Sequence, residues 1–274
     1  MFRKIARKLR KTLTPKVKVD PRFPFGNDIR ASRETYLQIF EDAKTRDYPE
    51  MEKIIARFTH QIDIEWMNNL ALHTQVVVKP SPINFQHGRL VYSALRERID
   101  SSPDLNHVVV FETGTARGFS SICMSRAIGD ANRSGLIVTS DFIPNHDEML
   151  WNCIDDHDGP QTRNHLLRRW PQERDRIVFV SGKTEDTIKR IGLGRIHFAY
   201  LDGAHTRDDV LNEYEFVAAR QKKGDAIVFD DVTPGMFDGI VEAIADIESQ
   251  GIYDVERLNI DPKRSYAIAI RREP

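Results

Sequence analysis

His107-Val-Val-Val-Phe-Glu-Thr-Gly-Thr-Ala-Arg-Gly-Phe-Ser-Ser121 decides how this chain folds. Val108 to Phe111 is a β-rich apolar run of the kind buried in parallel sheets. Glu112 stands where that strand should end, and Gly114 and Gly118 follow it. From Phe119 to Ile128 the apolar residues then recur at helical spacing. A strand, a glycine turn and a helix N-terminus let a ligand lie against bare backbone at the carboxyl end of a sheet. An ordinary βα turn has the same parts, so the flanking chain must say which ligand is served.

Outward from this stretch, strand and helix patterns alternate. Strands are expected at 107–112, 136–141, 176–181, 196–202 and 225–230. Helices are expected at 118–129, 161–170, 184–191, 206–221 and 236–249, the fourth with a capping box of Thr206 and Asp209. Two further strands, 253–260 and 265–270, flank a turn at Asp261-Pro262. This alternation predicts an α/β, doubly wound, Rossmann-like sheet with right-handed crossovers. Upstream, residues 31–70 carry helical periodicities, and a helix from about Leu90 to Ile99 leads into the first strand. The expected division is a basic segment at 1–20, a helical cap at 21–100 and a ligand-binding domain at 101–274.

Composition bounds the class. Hydrophobic residues make up 40% and charged residues 30%, as in soluble globular proteins. No apolar run approaches the roughly 20 residues of a membrane span. The two cysteines, Cys123 and Cys153, form no CxxC pair, which disfavours a thiolate zinc site. A reduced, cytoplasmic location is expected. Residues 1–18 hold eight Lys/Arg and no acid, which leaves 32 bases against 41 acids in the rest. An acidic body argues against nucleic-acid partners. Phe2, Ile5, Leu9 and Leu13 share one helical face among those bases. The pattern suits peripheral contact with an anionic inner-membrane surface, and equally a solvated basic terminus.

The glycine spacing selects the ligand. Gly114-x-x-x-Gly118 is not the GxGxxG of dinucleotide sites, and no Gly-Lys-Ser/Thr follows to make a P-loop. Asp141 ends the second strand, where a carboxylate can accept both ribose hydroxyls, and Glu112 is placed to face a cationic group. S-adenosylmethionine has a ribose, an amino group and a sulfonium but no phosphate, so it fits.

The fourth strand closes in Tyr200-Leu-Asp-Gly-Ala-His205 and the fifth in Ile227-Val-Phe-Asp-Asp231, on the same sheet edge. Asp202, Asp230 and Asp231 would repel one another unless protonated or bridged by a cation. An oxygen-only set suits Mg²⁺, or Mn²⁺ or Ca²⁺. Adjacent strand residues point to opposite faces, so Asp230 and Asp231 can share an ion only if the strand breaks between them. The loop from Phe142 to Arg163, with Trp151, is long enough to wall a substrate site, where Trp151 either stacks on a sugar or packs the loop down.

Residues 112–120, Asp141 and Gly182-Lys-Thr-Glu-Asp186 together resemble class I S-adenosylmethionine-dependent methyltransferases. The resemblance covers about residues 85–271. It implies a seven-stranded sheet in the order 3-2-1-4-5-7-6, with Glu112, Gly114, Gly118, Ser120, Asp141, Thr184, Glu185 and Asp202 around the cofactor. The three aspartates are similar to those of cation-dependent O-methyltransferases, and Asp-Gly-Ala-His is similar to the antibiotic- and sugar-modifying branch. That likeness implies metal ligation by Asp202, Asp230 and Asp231, with His205 as catalytic base. Asn84 to Arg89 and Trp151 to Asp156 look like bacterial methyltransferases of surface-polysaccharide synthesis, which implies a small-molecule or glycan acceptor. A metal-independent methyltransferase and a silent binding module of the same fold are the competing expectations.

Overall fold

A computed structural model describes residues 24–272. The expected basic segment, residues 1–20, lies outside the described residues. Among the described residues four helices come first: α1 (Arg33–Lys44), α2 (Pro49–Ile55), α3 (Ile64–Thr74) and α4 (His87–Asp100). There follow β1 (His107–Thr113), α5 (Phe119–Asp130), β2 (Ser134–Asp141), a 3₁₀ turn (Ile154–Asp158), and the single-turn helices α6 (Arg163–Leu166) and α7 (Pro171–Arg174). The rest is β3 (Ile177–Ser181), α8 (Thr184–Thr187), β4 (Phe198–Leu201), α9 (Arg207–Ala218), β5 (Ala226–Phe229), α10 (Asp238–Ser249), β6 (Tyr253–Asp261) and β7 (Arg264–Arg271).

The sheet has seven strands in the order β3-β2-β1-β4-β5-β7-β6, as expected. Strands β1 to β5 are parallel, and β7 runs antiparallel between β5 and β6. Period-two alternation sorts side chains to two faces. Phe198, Tyr200, Ala226 and Val228 join one apolar cluster with α1 to α5, and that cluster runs from Tyr36 to Tyr266. Ala199, Leu201, Ile227 and Phe229 join another with Val210 and Val217 of α9 and Ile240, Ile244 and Ile247 of α10. Two expected helices are much shorter than their patterns: 161–170 holds one helical turn at Arg163–Leu166, and 184–191 one at Thr184–Thr187. Gly192 and Gly194 follow the second, and their backbone entropy disfavours helix there.

Local chemistry sets several element ends. Ser32 caps α1 by accepting from Thr35 N (3.3 Å), and Asp63 caps α3 by accepting from Glu65 N (2.9 Å) and Trp66 N (3.1 Å). The expected cap on α9 forms: Thr206 Oγ accepts from Asp209 N at 3.3 Å. Asp261 accepts from Lys263 N (2.7 Å) to close the β6–β7 turn.

Gly114 is where the sheet leaves no room. Its φ is +81°, and a Cβ there would lie 1.9 Å from the Asp202 carbonyl oxygen. Gly114→Ala should lower unfolding free energy by roughly 2–4 kcal/mol, combining left-handed strain with a backbone clash. Equilibrium urea unfolding checks this; a midpoint equal to wild type would contradict the contact.

Candidate active site

The loop after β1 is held from beneath by buried acids. Phe111 faces α9 and α10, so Glu112 faces α5. Its carboxylate, fully buried, accepts hydrogen bonds from Ser120 (2.5 Å) and from Ser121. Burial raises the Glu112 pKa, and these hydroxyls oppose the rise. Glu112 and Ser120 therefore engage each other rather than the loop's open side. Gly118 takes φ +89° to cap α5, where a Cβ would meet Leu167 Cδ1 at 2.8 Å. Asp141, at the end of β2, accepts from Ala116 N (2.6 Å) and Ile143 N (2.9 Å), so it fixes the loops after both β1 and β2. Gly182 N donates to Asp141 O (2.8 Å), which brings Thr184 and Glu185 to the same edge. The expected cofactor residues thus gather at the carboxyl ends of β1, β2 and β3, with Asp202 just across from Gly114.

The acids of β4 and β5 lie beside this loop. Asp230 follows β5 on the same face as Tyr200 and accepts the Tyr200 hydroxyl at 2.5 Å. Asp231 has a left-handed φ of +56°, so the strand does break between the two aspartates. That break turns Asp231 toward His205, whose Nε2 lies 3.4 Å from Asp231 Oδ2. Two of the three expected metal ligands, Asp202 and Asp231, fall in one tight group with His205. Asp202, His205 and Asp231 present ligand atoms all within 4.8 Å of one another, and Asp230 is not among them. Asp230 is instead committed to Tyr200 and to Arg264, which donates Nη1 to Asp230 (2.9 Å) and to Asp231 (3.0 Å).

Charge crowding is strong here. Burial, then Asp230 and Asp231, push the Asp202 pKa well above the usual carboxylate range. Burial opposes the charge on Arg264, but Asp230 and Asp231 outweigh it and raise its pKa further. The hydrogen bond to Asp231 raises the His205 pKa above its ordinary 6.5. The His205 ring is 47% exposed and leans on Phe237, with centroids 4.6 Å apart. Ligands on opposite sides of a Mg²⁺ or Ca²⁺ ion are about 4–5 Å apart, so the Asp202 and Asp231 carboxylates are spaced to share a hard cation, whereas the His205 nitrogen is not a ligand such an ion prefers.

Several residues at the site carry no sequence signal of their own. Arg264 opens an antiparallel strand, so its N-terminal end meets the carboxyl ends of the parallel ones; only the strand register reveals that. Glu213, from α9, accepts from Thr113 Oγ1 (2.8 Å), and burial pushes its pKa up to about 7. It lies under Gly203, where a Cβ would come 2.6 Å from Glu213 Oε1. His87 is a packed histidine, 4.9 Å from Phe119 and stacked 6.2 Å from Tyr200, and burial lowers its pKa to about 4. The loop after β2 settles the alternatives for Trp151. Its ring is fully buried and its Nε1 donates to Gln161 O (2.7 Å), so it packs the loop and offers no face to a sugar. The loop acids are structural as well. Asp155 pairs with His73 (2.6 Å) and Arg169 (2.8 Å), and Asp156 accepts from Trp151 N (2.7 Å).

Comparison with known proteins agrees with this geometry. Residues 111–232 match the model of a methyltransferase-domain family. A search of curated proteins gives no match. Among solved structures, the O-methyltransferase TomG from Streptomyces achromogenes, involved in tomaymycin synthesis and bound to SAM, is similar with a TM-score of 0.54 at 14% identity over 78% of this chain and 92% of its own. Cofactor-bound Rv0187 from MTB has a TM-score of 0.52 at 18% identity, covering 87% and 97%. The O-methyltransferase from Bacillus cereus in complex with SAH has a TM-score of 0.50 at 16% identity, covering 88% and 100%. The match runs from the last residues of β1 to the end of the acid cluster, and the seven-stranded sheet has the Rossmann-like fold of the similar methyltransferase structures.

Proposed function

We propose that the chain is an S-adenosylmethionine-dependent O-methyltransferase, assisted by a divalent cation, acting on a hydroxyl of a small or glycosyl acceptor. The observation that carries this reading is the Asp202–His205–Asp231 cluster, one strand over from the glycine loop and in contact with it through Gly114. The similar O-methyltransferases that hold SAM or SAH support the choice of donor. The donor lies along the loop of residues 114–118, with Asp141, Thr184 and Glu185 toward its nucleoside and Asp202 toward its methionine part.

His205 takes the proton of the acceptor hydroxyl. The oxygen then attacks the methyl carbon in line with the sulfur; the C–O bond forms, the C–S bond breaks, and the sulfonium leaves as a neutral thioether. Asp231 orients His205 and stabilises the imidazolium that results. Asp202 and Asp231 would hold the cation, with Asp230 beside them. A cation bound there lowers the pKa of the acceptor hydroxyl. Glu213 and Thr113 brace the loop that presents His205.

Arg264 favours a second reading. Its guanidinium already bridges Asp230 and Asp231, so the protein could neutralise its own acids and transfer methyl groups without metal. Calorimetric titration of Mg²⁺ and Mn²⁺ into the wild type and Asp202→Asn separates the two. The cation reading expects saturable binding that is weakened at least about tenfold in the variant, and turnover that EDTA abolishes and Mg²⁺ restores. Turnover indifferent to EDTA would hand the site to Arg264.

His205→Ala should cut kcat by about 10²–10⁴-fold, the range of a positioned base, while S-adenosylmethionine affinity stays unchanged. A parallel fall in donor binding would speak against the assignment.

The His205 pKa is raised in the folded protein, so its pairing with Asp231 contributes stability below the unfolded value and loses it as pH rises through the folded one. In the metal-free protein, Asp231→Asn should bring the His205 titration, followed by NMR, down toward 6.5. An unchanged midpoint would show that Asp231 is not its partner.

A further inference from the structure

The middle of the glycine loop holds a residue ill suited to its conformation. Ala116 has φ +45°, in the left-handed region that a Cβ disfavours. Gly114 and Gly118, on either side of it, take positive φ without that cost. A backbone outlier of this kind persists only where its surroundings impose it.

Two side chains of opposite charge impose it, and both act on the same two residues. Asp141 accepts from the N–H groups of Ala116 (2.6 Å) and Ile143 (2.9 Å). Arg163 donates to their carbonyls, from Nε to Ala116 O (2.9 Å) and from Nη2 to Ile143 O (3.4 Å). Ala116 and Ile143 are thus each gripped at both N–H and C=O. The loops after β1 and β2 are locked to each other in the process.

Arg163 is itself firmly seated. It is 1% exposed, and its guanidinium lies 5.6 Å from the ring centroids of both Trp151 and Phe179. Burial lowers its pKa to about 10, with Asp141 and then Glu112 opposing the fall, so it stays charged at neutral pH. Its backbone opens α6, which Thr162 caps by accepting from His165 N (3.2 Å). Leu167, just after α6, occupies the space that a Cβ on Gly118 would need. Arg117 adds a third tie, donating Nε to Trp151 O (2.6 Å). The segment from Trp151 to Leu167 therefore touches the glycine loop at residues 116, 117 and 118.

We propose that Arg163 is a positioning residue for the methyl donor: with Asp141 it holds Ala116 left-handed, and so keeps residues 114–118 in the shape that receives S-adenosylmethionine. The inference rests on the methyltransferase reading above. A loop ordered before binding loses less conformational freedom when the donor arrives, so the clamp acts through donor affinity. Asp141 is also the expected ribose acid. Arg163 grips the carbonyl side, which leaves the loop held whichever hydrogen bonds Asp141 makes to a donor.

The test compares the full chain with Arg163→Met, Arg163→Lys and Ala116→Gly, alone and combined. Calorimetry with SAH reads the donor site, and amide hydrogen exchange without SAH reads the clamp. R163M should weaken SAH binding by about tenfold or more, as for lost hydrogen bonds from a charged donor. Exchange of the Ala116 and Ile143 amides should quicken by about tenfold, while that of the buried Val110 in β1 stays as in the wild type. R163K keeps the charge without the planar fork and should lie between the two. The distinguishing signature is the second site. Glycine takes the left-handed φ unaided, so R163M/A116G should recover about threefold or more of the lost affinity, which a role in stability alone does not give. SAH binding by R163M within about twofold of the wild type, or no recovery in R163M/A116G, overturns the proposal. If R163M does not fold, R163K carries the same test, and wild-type affinity there overturns it. Unchanged exchange of the two amides, with SAH binding intact, overturns the clamp alone. A wild type that binds no SAH removes the methyltransferase reading, and this role with it.

Discussion

The contact between the backbone of Gly114 and the carbonyl of Asp202 is what the rest of the site depends on. β1 and β4 are neighbours at the centre of the sheet, where the strand order turns from 3-2-1 to 4-5. In open α/β sheets that reversal opens a crevice at the carboxyl edge. Here the crevice is closed down until a hydrogen atom is all that fits at position 114. The glycine loop and the acid cluster are thereby held against each other.

Close approach has an electrostatic consequence. Asp202, Asp230 and Asp231 are crowded into one partly desolvated corner, and such a corner is stable only if its charge is answered. The protein answers it locally with a phenol, a guanidinium and an imidazole, each within hydrogen-bond or ion-pair distance of an aspartate. This arrangement ties Asp230 to Tyr200 and Arg264 and gathers Asp202, His205 and Asp231 within 4.8 Å of one another.

Much of this was legible in the residues. Alternation of β-rich runs with helical periods dictates parallel strands with helices on both faces, because each apolar face must be buried on something. Gly114 and Gly118 read as a ligand turn, and both take φ values that favour glycine. Asp202, Asp230 and Asp231 sit at strand ends that a parallel sheet necessarily brings to one edge. The short turns at α6 and α8 were not legible, since apolar spacing shows which face could be buried and not how many turns the loops allow.

Sequence by itself therefore determined the layer architecture, the strand that begins the site and the edge on which the acids lie, since hydrophobic period and strand polarity are local properties. Only the tertiary structure decided which acids converge. A single left-handed residue, Asp231, turned one carboxylate toward His205 and left its neighbour to Tyr200 and Arg264. It also decided that Trp151 is core, that Asn152 clamps the Val78 backbone, and that a base opening an antiparallel strand reaches the carboxyl edge of the parallel ones. Each of these depends on backbone dihedrals and strand register between residues far apart in the chain, and no spacing in the sequence encodes them.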